Sequence, residues 1–150
     1  ALDEQHYAPA TPHEVSDEEI LNEIHDYWYH CVWTIKKIRR GELWTAMNCL
    51  NWYMKGKLLH MIEIVTRATH DEDVDTWHNG KLLERWAAPS IVQRLHGCFA
   101  DYDAWALLEA LRRQIDLYHD LASEIGRQRG IPYPEESRVK IIEWIKNMGR

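Results

Sequence analysis

Two stripes of apolar side chains, joined at a single glycine, constrain this chain more than any other feature. Ile20, Ile24, Tyr27, Cys31, Ile35 and Ile38 recur at three- and four-residue intervals and so share one face of a helix. Leu43, Met47, Leu50, Met54, Leu58, Met61 and Val65 repeat the pattern beyond Gly41. Ser16 with Glu19 three residues on has the spacing of a capping box. The first helix is therefore expected to open at Ser16 and end near Arg40, and the second to run from Glu42 to about Ala68.

The polar stretch from Thr69 to Gly80, THDEDVDTWHNG, reads as a loop. A short helix, KLLERW, should stop before Pro89, and Ser90 is placed to cap another, IVQRLHGCF. Asp101 or Asp103 can start a long helix that buries Leu108, Leu111, Ile115, Tyr118, Ala122 and Ile125 and ends at Gly130. After Pro132 and Pro134, a last helix is expected to turn Val139, Ile142, Ile145 and Met148 inward. No segment alternates with period two. The expected fold is all-α, an up-and-down bundle of about five to six helices over residues 16–150. Residues 1–15, with two prolines and no periodicity, read as an extended linker arm.

A chain of 150 residues suits one domain with a real core. Its formal charge of −6 argues against nucleic acid as a partner, since that footprint is basic. The three cysteines are odd in number and form no C-x-x-C pair, which suits reduced, buried thiols. No apolar run approaches the ~20 residues of a membrane span, and the N-terminus lacks a signal-peptide pattern, so the expected location is cytoplasmic. Eight Trp and seven Tyr stand against one Phe. Rings with polar tips suit a wet groove as well as a core, so some are expected to line one.

Between the two stripes sit Lys36, Arg40 and Glu42. Lys36 and Arg40 are four apart and share a helical face. In one reading they simply complement the helix dipole, together with Lys37 and Arg39. In the other they face a polyphosphate while Glu42 takes a proton from a hydroxyl. The loop carries Asp71, Asp73 and Asp75 with His70 and His78 beside them. A calcium loop would need glycine where Thr76 stands and glutamate where Leu82 stands. No Cys/His array supports zinc, so no metal site is expected and the loop reads as solvated and acidic. Arg113 and His119, six apart, loosely resemble the Arg…His pair of the HEPN ribonucleases, also helical bundles. No P-loop, nucleophile elbow or dinucleotide fingerprint is present.

The order of motifs along the chain is more informative than any one of them. Tyr27-Trp28-Tyr29 looks like a Phe-Trp-Trp; Lys36 and Arg40-Gly41-Glu42-Leu43 follow, then Ala46. Leu58-Leu59-x-Met61-Ile62-Glu63 is similar to Leu-x-x-Met-Leu-Glu, and Gly80-Lys81 leads into Leu83-x-Arg85-Trp86. Asp101 and Trp105 precede the long helix, and Gly130-x-x-Tyr133-Pro134 closes it. In this order the chain resembles the C-terminal helical domain of the aminoglycoside 6-adenylyltransferases, the streptomycin-modifying nucleotidyltransferases of bacteria, over about residues 20 to 145. Leu2-Asp3 resembles the end of that family's preceding strand.

The resemblance implies transfer of AMP from Mg-ATP to an aminoglycoside hydroxyl, an activity tied to antibiotic resistance. The metal-binding Gly-Ser…Asp-x-Asp half lies upstream in that family and is missing here. The chain would then be the acceptor-binding domain, partnered by an upstream nucleotidyltransferase domain and not catalytic by itself. Carried over, Lys36 and Arg40 would lean on the ATP phosphates. Glu42 would be the candidate base, and Asp71, Asp73, Asp75, Trp77 and Asp101 would hold the cationic antibiotic. Lys37 and Arg39 are more basic than the family pattern, and the loop from Asp75 to His78 matches it only in part. A non-catalytic helical interaction module is the alternative, and a HEPN-like ribonuclease a further one.

Overall fold

The computed structural model describes residues 14–70 and 74–148. Helix α1 spans Asp17–Arg39 and opens on the expected capping box. The Ser16 N–H donates to Glu19 Oε2 (2.8 Å), and the Glu19 N–H donates to Ser16 Oγ (3.2 Å). This satisfies two of the helix's first unpaired groups at once. Asp17, Glu18 and Glu19 in the first turn and Lys36, Lys37 and Arg39 in the last complement the dipole.

The segment expected as one helix is helical almost throughout but changes pitch. Helix α2 (Leu43–Asn48) passes into a π-helical turn (Cys49–Tyr53) and then into α3 (Met54–Thr69). The Leu50 carbonyl of this turn accepts a hydrogen bond from the Lys55 ammonium (3.2 Å). The same ammonium donates to the Cys98 carbonyl (2.6 Å) and to Gln114 Oε1, and lies 4.5 Å from the centre of the Phe99 ring. Burial pulls the Lys55 pKa down to about 8. One side chain thus joins the π turn, the loop after α5 and the long helix.

Two short helices follow, α4 (Leu83–Trp86) and α5 (Pro89–Leu95). Ser90 does not cap α5: Pro89 opens it, and its fixed φ and missing N–H suit the first helical position. Helix α6 (Ala104–Arg129) is capped by Asp103, whose carboxylate accepts from the Ala106 N–H (2.9 Å). Gly130 ends it at φ 69°, in the left-handed region that glycine enters without a Cβ penalty. Helix α7 (Glu135–Met148) buries Ile141 and Ile145, with Ile142 and Met148 half-buried. Val139, expected inward, is 51% exposed, because the inward stripe of α7 runs through Ile141 instead. No strand occurs among the described residues, and the architecture is the expected all-α bundle.

The core is centred on Tyr27 and Tyr118, fully buried and stacked with ring centroids 3.6 Å apart, and Trp28 packs edge-on against both. Arg129 at the end of α6 bonds the Val15 carbonyl (2.7 Å) and Asp17 (3.2 Å) at the start of α1, so these helices run antiparallel. Helix α3 is antiparallel to α1 as well: Thr34 reaches Met54 Sδ (3.5 Å), and Lys57 reaches back to Glu23 (2.8 Å). Cys31, Cys49 and Cys98 are buried free thiols. No helix among the described residues is long and apolar enough to cross a membrane.

Along the α1–α3 seam a charged network replaces apolar packing. Glu23 bonds Lys57 (2.8 Å) and faces His60 (3.5 Å), while Asp26 takes the Tyr53 hydroxyl (2.6 Å) and lies 3.3 Å from Lys57. His60, followed by Lys57, holds the Glu23 carboxyl down to about 2 from its ordinary 4.5, against the upward push of burial. Glu23 in turn raises the His60 pKa above 6.5. Glu23 therefore stabilises the fold fully above about pH 4.5, and that contribution disappears as the pH falls toward 2. The His60 contribution has the opposite sense, complete below pH 6.5 and lost as the pH rises through its raised value. Thermal melts should show the wild-type midpoint falling more steeply between pH 4.5 and 2 than that of Glu23→Gln. Equal slopes would mean that the network contributes nothing. For Lys55→Met, which leaves three acceptors without their donor, urea denaturation should show a loss of about 1–3 kcal/mol.

Candidate functional site

The hinge between α1 and α2 is fixed by backbone chemistry. Gly41 has φ 75°, its N–H donates to the Ile38 carbonyl (3.0 Å), and the Glu42 N–H donates to the Lys37 carbonyl (3.0 Å). This is a Schellman ending, and a Cβ at Gly41 would meet no atom but would strain the left-handed backbone. Glu42 emerges from it with its backbone held, and Oε2 closes on the Lys37 ammonium at 2.5 Å. The other oxygen, Oε1, stands 4.0 Å from the exposed Arg40 guanidinium and is the one left open.

The four cations of this turn separate by partner. Lys37 is taken by Glu42 and lies over the Trp33 ring (5.2 Å), and Arg39 lies over Trp144 (5.6 Å). Lys36 is exposed and has no ion pair among the described residues, and Arg40 is 65% exposed. Lys36 and Arg40, the pair singled out by spacing, are thus both exposed, Arg40 with Glu42 Oε1 4.0 Å away.

Because α6 runs antiparallel to α1, its N-terminal approach reaches the hinge end of the bundle. The Tyr102 ring lies 6.5 Å from Trp44, with both rings exposed. Asp101 is exposed beside Tyr102, and its carbonyl accepts from the Asp103 N–H (2.7 Å). Trp105 is exposed one turn on. Lys36, Arg40, Glu42 and Asp101 therefore belong to one end of the molecule. Trp44, Tyr102 and Trp105 join them there, and their distance apart in sequence gave no sign of this.

The acidic loop lies elsewhere. Helix α3 carries the chain away from the hinge, and the loop then packs back along it: Thr76 bonds Arg67, and Gly80 sits against Leu59. Asp71 and Asp73 lie outside the described residues. Asp75 accepts the Trp77 N–H (2.8 Å), and Lys81 lies over the Trp77 ring (5.0 Å), so both are engaged in local loop structure. Trp77, Asn79 and Leu82 adopt positive φ, which a single glycine in the loop did not foretell.

A groove of about 450 Å³ runs from Lys55 and Phe99 to Gly80 and Glu84 over Leu58, Leu59, Ile62 and Leu95. Its lining is apolar and carries one carboxylate, Glu84, against Lys55 and His96. Asp75, Trp77 and Asp101, expected to hold the cationic antibiotic, do not line this groove. Among the described residues no group of three acidic, histidine or cysteine side chains could hold a metal. Arg113 and His119 are not brought together: Arg113 lies against Gly97 and Glu109, whereas His119 meets Tyr133 (2.8 Å) and Glu135 (3.7 Å). Six residues of helix turn them to different neighbours, the loop after α5 and the start of α7.

The fold resembles a crystal structure of an aminoglycoside 6-adenyltransferase from Bacillus subtilis, with a TM-score of 0.76 at 15% identity. The match covers 91% of this chain and 51% of that one, so the chain spans about half the length of that relative. No curated protein matches the chain. The family described as streptomycin adenylyltransferase matches over residues 1–148, nearly the whole sequence. The chain therefore belongs to the streptomycin adenylyltransferase family.

Proposed function

We propose that this chain supplies the acceptor-binding and cleft-completing part of an aminoglycoside adenylyltransferase, acting with an upstream nucleotidyltransferase domain and Mg-ATP. One observation carries the reading beyond family membership. Two stretches far apart in sequence, Lys36–Trp44 and Asp101–Trp105, meet at one end of the bundle, and the Trp44–Tyr102 contact joins them.

The reaction would join an acceptor oxygen to the α-phosphorus of ATP and break the bond to the β-phosphate oxygen. Pyrophosphate would leave, and the hydroxyl proton would pass to a base. Lys36 and Arg40 would bind the phosphates, using N–H groups that few protein acceptors occupy. Glu42 Oε1 would accept the hydroxyl proton while Lys37 holds Oε2 and keeps the carboxylate oriented. Asp101 would take an ammonium or guanidinium of the antibiotic, with Trp44, Tyr102 and Trp105 packing on its sugar faces. Asp75 and Trp77 would act from farther off, and the charge that Asp75 shares with Asp71 and Asp73 in sequence would raise the local concentration of a polycation. The Gly-Ser…Asp-x-Asp signature that would hold the metal is not among these 150 residues, so no step is assigned to it in this chain.

A second reading, a non-catalytic interaction module, draws on the same exposed rings. Titration with streptomycin, followed by tryptophan fluorescence, distinguishes the two. The acceptor reading expects saturable quenching that weakens about tenfold in Glu42→Gln and in Asp101→Asn, the scale of one charge-assisted hydrogen bond. No quenching, together with a concentration-dependent dimer in sedimentation, would favour the module.

A further inference from the structure

We propose that the exposed side of the π turn and α3 is a self-association surface, on which Trp52 packs over Gly56 of a second copy of this chain in a two-fold, antiparallel pair. The inference goes beyond the acceptor reading and does not depend on it. Trp52 is 84% exposed, more than any other large hydrophobic side chain among the described residues. It sits on the π turn, where no ring contact or hydrogen bond engages its side chain. Turns of this kind are frequent at functional sites. Leu50 and Met54, fully buried on either side of it, hold the turn against the core, so Trp52 points outward.

Gly56 lies one turn further along the same exposed face. A Cβ added there would meet no atom within 4 Å, so nothing within one copy requires glycine at this position. Glycine inside a helix is destabilising relative to alanine, and its absent side chain leaves a hollow beside the Trp52 ring. A projecting indole and a hollow one turn apart make a face that is complementary to itself. A two-fold axis passing between them sets each Trp52 over Gly56 of the other copy, the isologous arrangement of a closed dimer.

Charge and area both favour a second copy as the occupant. Two chains of net charge −6 repel one another, so a face they share has to be free of unpaired charge. Asn48, Trp52 and Gly56 follow at four-residue intervals, all exposed, and carry no charge in a chain of which 28% is charged. The two lysines beside the stripe are already met. Lys57 is paired with Glu23 (2.8 Å) and Asp26 (3.3 Å), and the Lys55 ammonium has its three acceptors. Phe99, 59% exposed and 4.5 Å from that ammonium, adds a second ring at the edge. Such rings bury about 150–250 Å² each, so two copies reach only the lower end of what a specific interface needs, ~1,000 Å² in total. The dimer is therefore weak, with a Kd on the order of 10–100 μM.

Sedimentation velocity of the 150-residue chain, over concentrations that bracket this Kd, tests the surface. The sedimentation coefficient should rise with concentration, and Trp52→Ala should weaken association about tenfold or more, as loss of a central aromatic anchor does. Gly56→Gln should weaken it to the same degree while raising the urea midpoint of the monomer, because a better helix former then stands at an open position. Opposite effects on association and stability exclude misfolding as the cause. Mixing the two variants should restore part of the association, since the intact Trp52 of one meets the intact Gly56 of the other. A chain that stays monomeric at every concentration overturns the proposal and leaves this face to a partner of another kind. A dimer that survives both substitutions overturns it as well, because the contact then lies elsewhere. Variants that each lose the dimer and do not associate when mixed overturn the two-fold pairing of Trp52 with Gly56.

Discussion

The stacking of Tyr27 on Tyr118 sets the register of α1 against α6, and the placement of the site follows from it. Two fully buried rings with centroids 3.6 Å apart admit little sliding, and Trp28 closes the edge of the pair. Such a contact adds about 0.5–1.5 kcal/mol beyond the area it buries. With this pair as the fixed point, antiparallel helices of 23 and 26 residues bring the end of α1 beside the start of α6. Glu42 and Asp101 reach the same end of the bundle for that reason.

Two local devices then sharpen what the register places. The Schellman ending at Gly41 fixes the Glu42 backbone, and the Lys37–Glu42 pair fixes one of its oxygens. On the adjoining side, the Lys55 ammonium ties the Leu50 carbonyl of the π turn to the Cys98 carbonyl and to Gln114 of α6. Cys98 lies only a few residues before Asp101 and Tyr102, so this half-buried cation anchors the loop that presents them. A half-buried charge of this kind is stable because three acceptors surround it.

Much of the fold was legible in the sequence, as particular residues show. The Ser16/Glu19 capping box and the glycine stops at Gly41 and Gly130 appear where their spacing placed them, and of the two candidate caps, Asp101 and Asp103, Asp103 starts α6. Departures occur where a neighbour in space decides. The π turn at Cys49–Tyr53 interrupts a periodicity that looked continuous, Pro89 and not Ser90 starts α5, and Val139 faces solvent. Half of the candidate site was legible too, since Lys36, Arg40 and Glu42 lie within one stretch of the chain. The meeting of Trp44 with Tyr102 was not, because no spacing rule connects residues some sixty positions apart.

By itself the sequence determined the helices, their ends and which face of each would be apolar. Those properties depend on residues within one or two turns, through the 3.6-residue period and the chemistry of caps. Only the tertiary structure decided which loop reaches the hinge, which cations pack against rings and which stay exposed. It also set Asp75 and Trp77 apart from the hinge and left a groove whose single carboxylate, Glu84, shares the lining with Lys55 and His96. These outcomes rest on packing between distant side chains, and helical periodicity carries no record of which faces will meet.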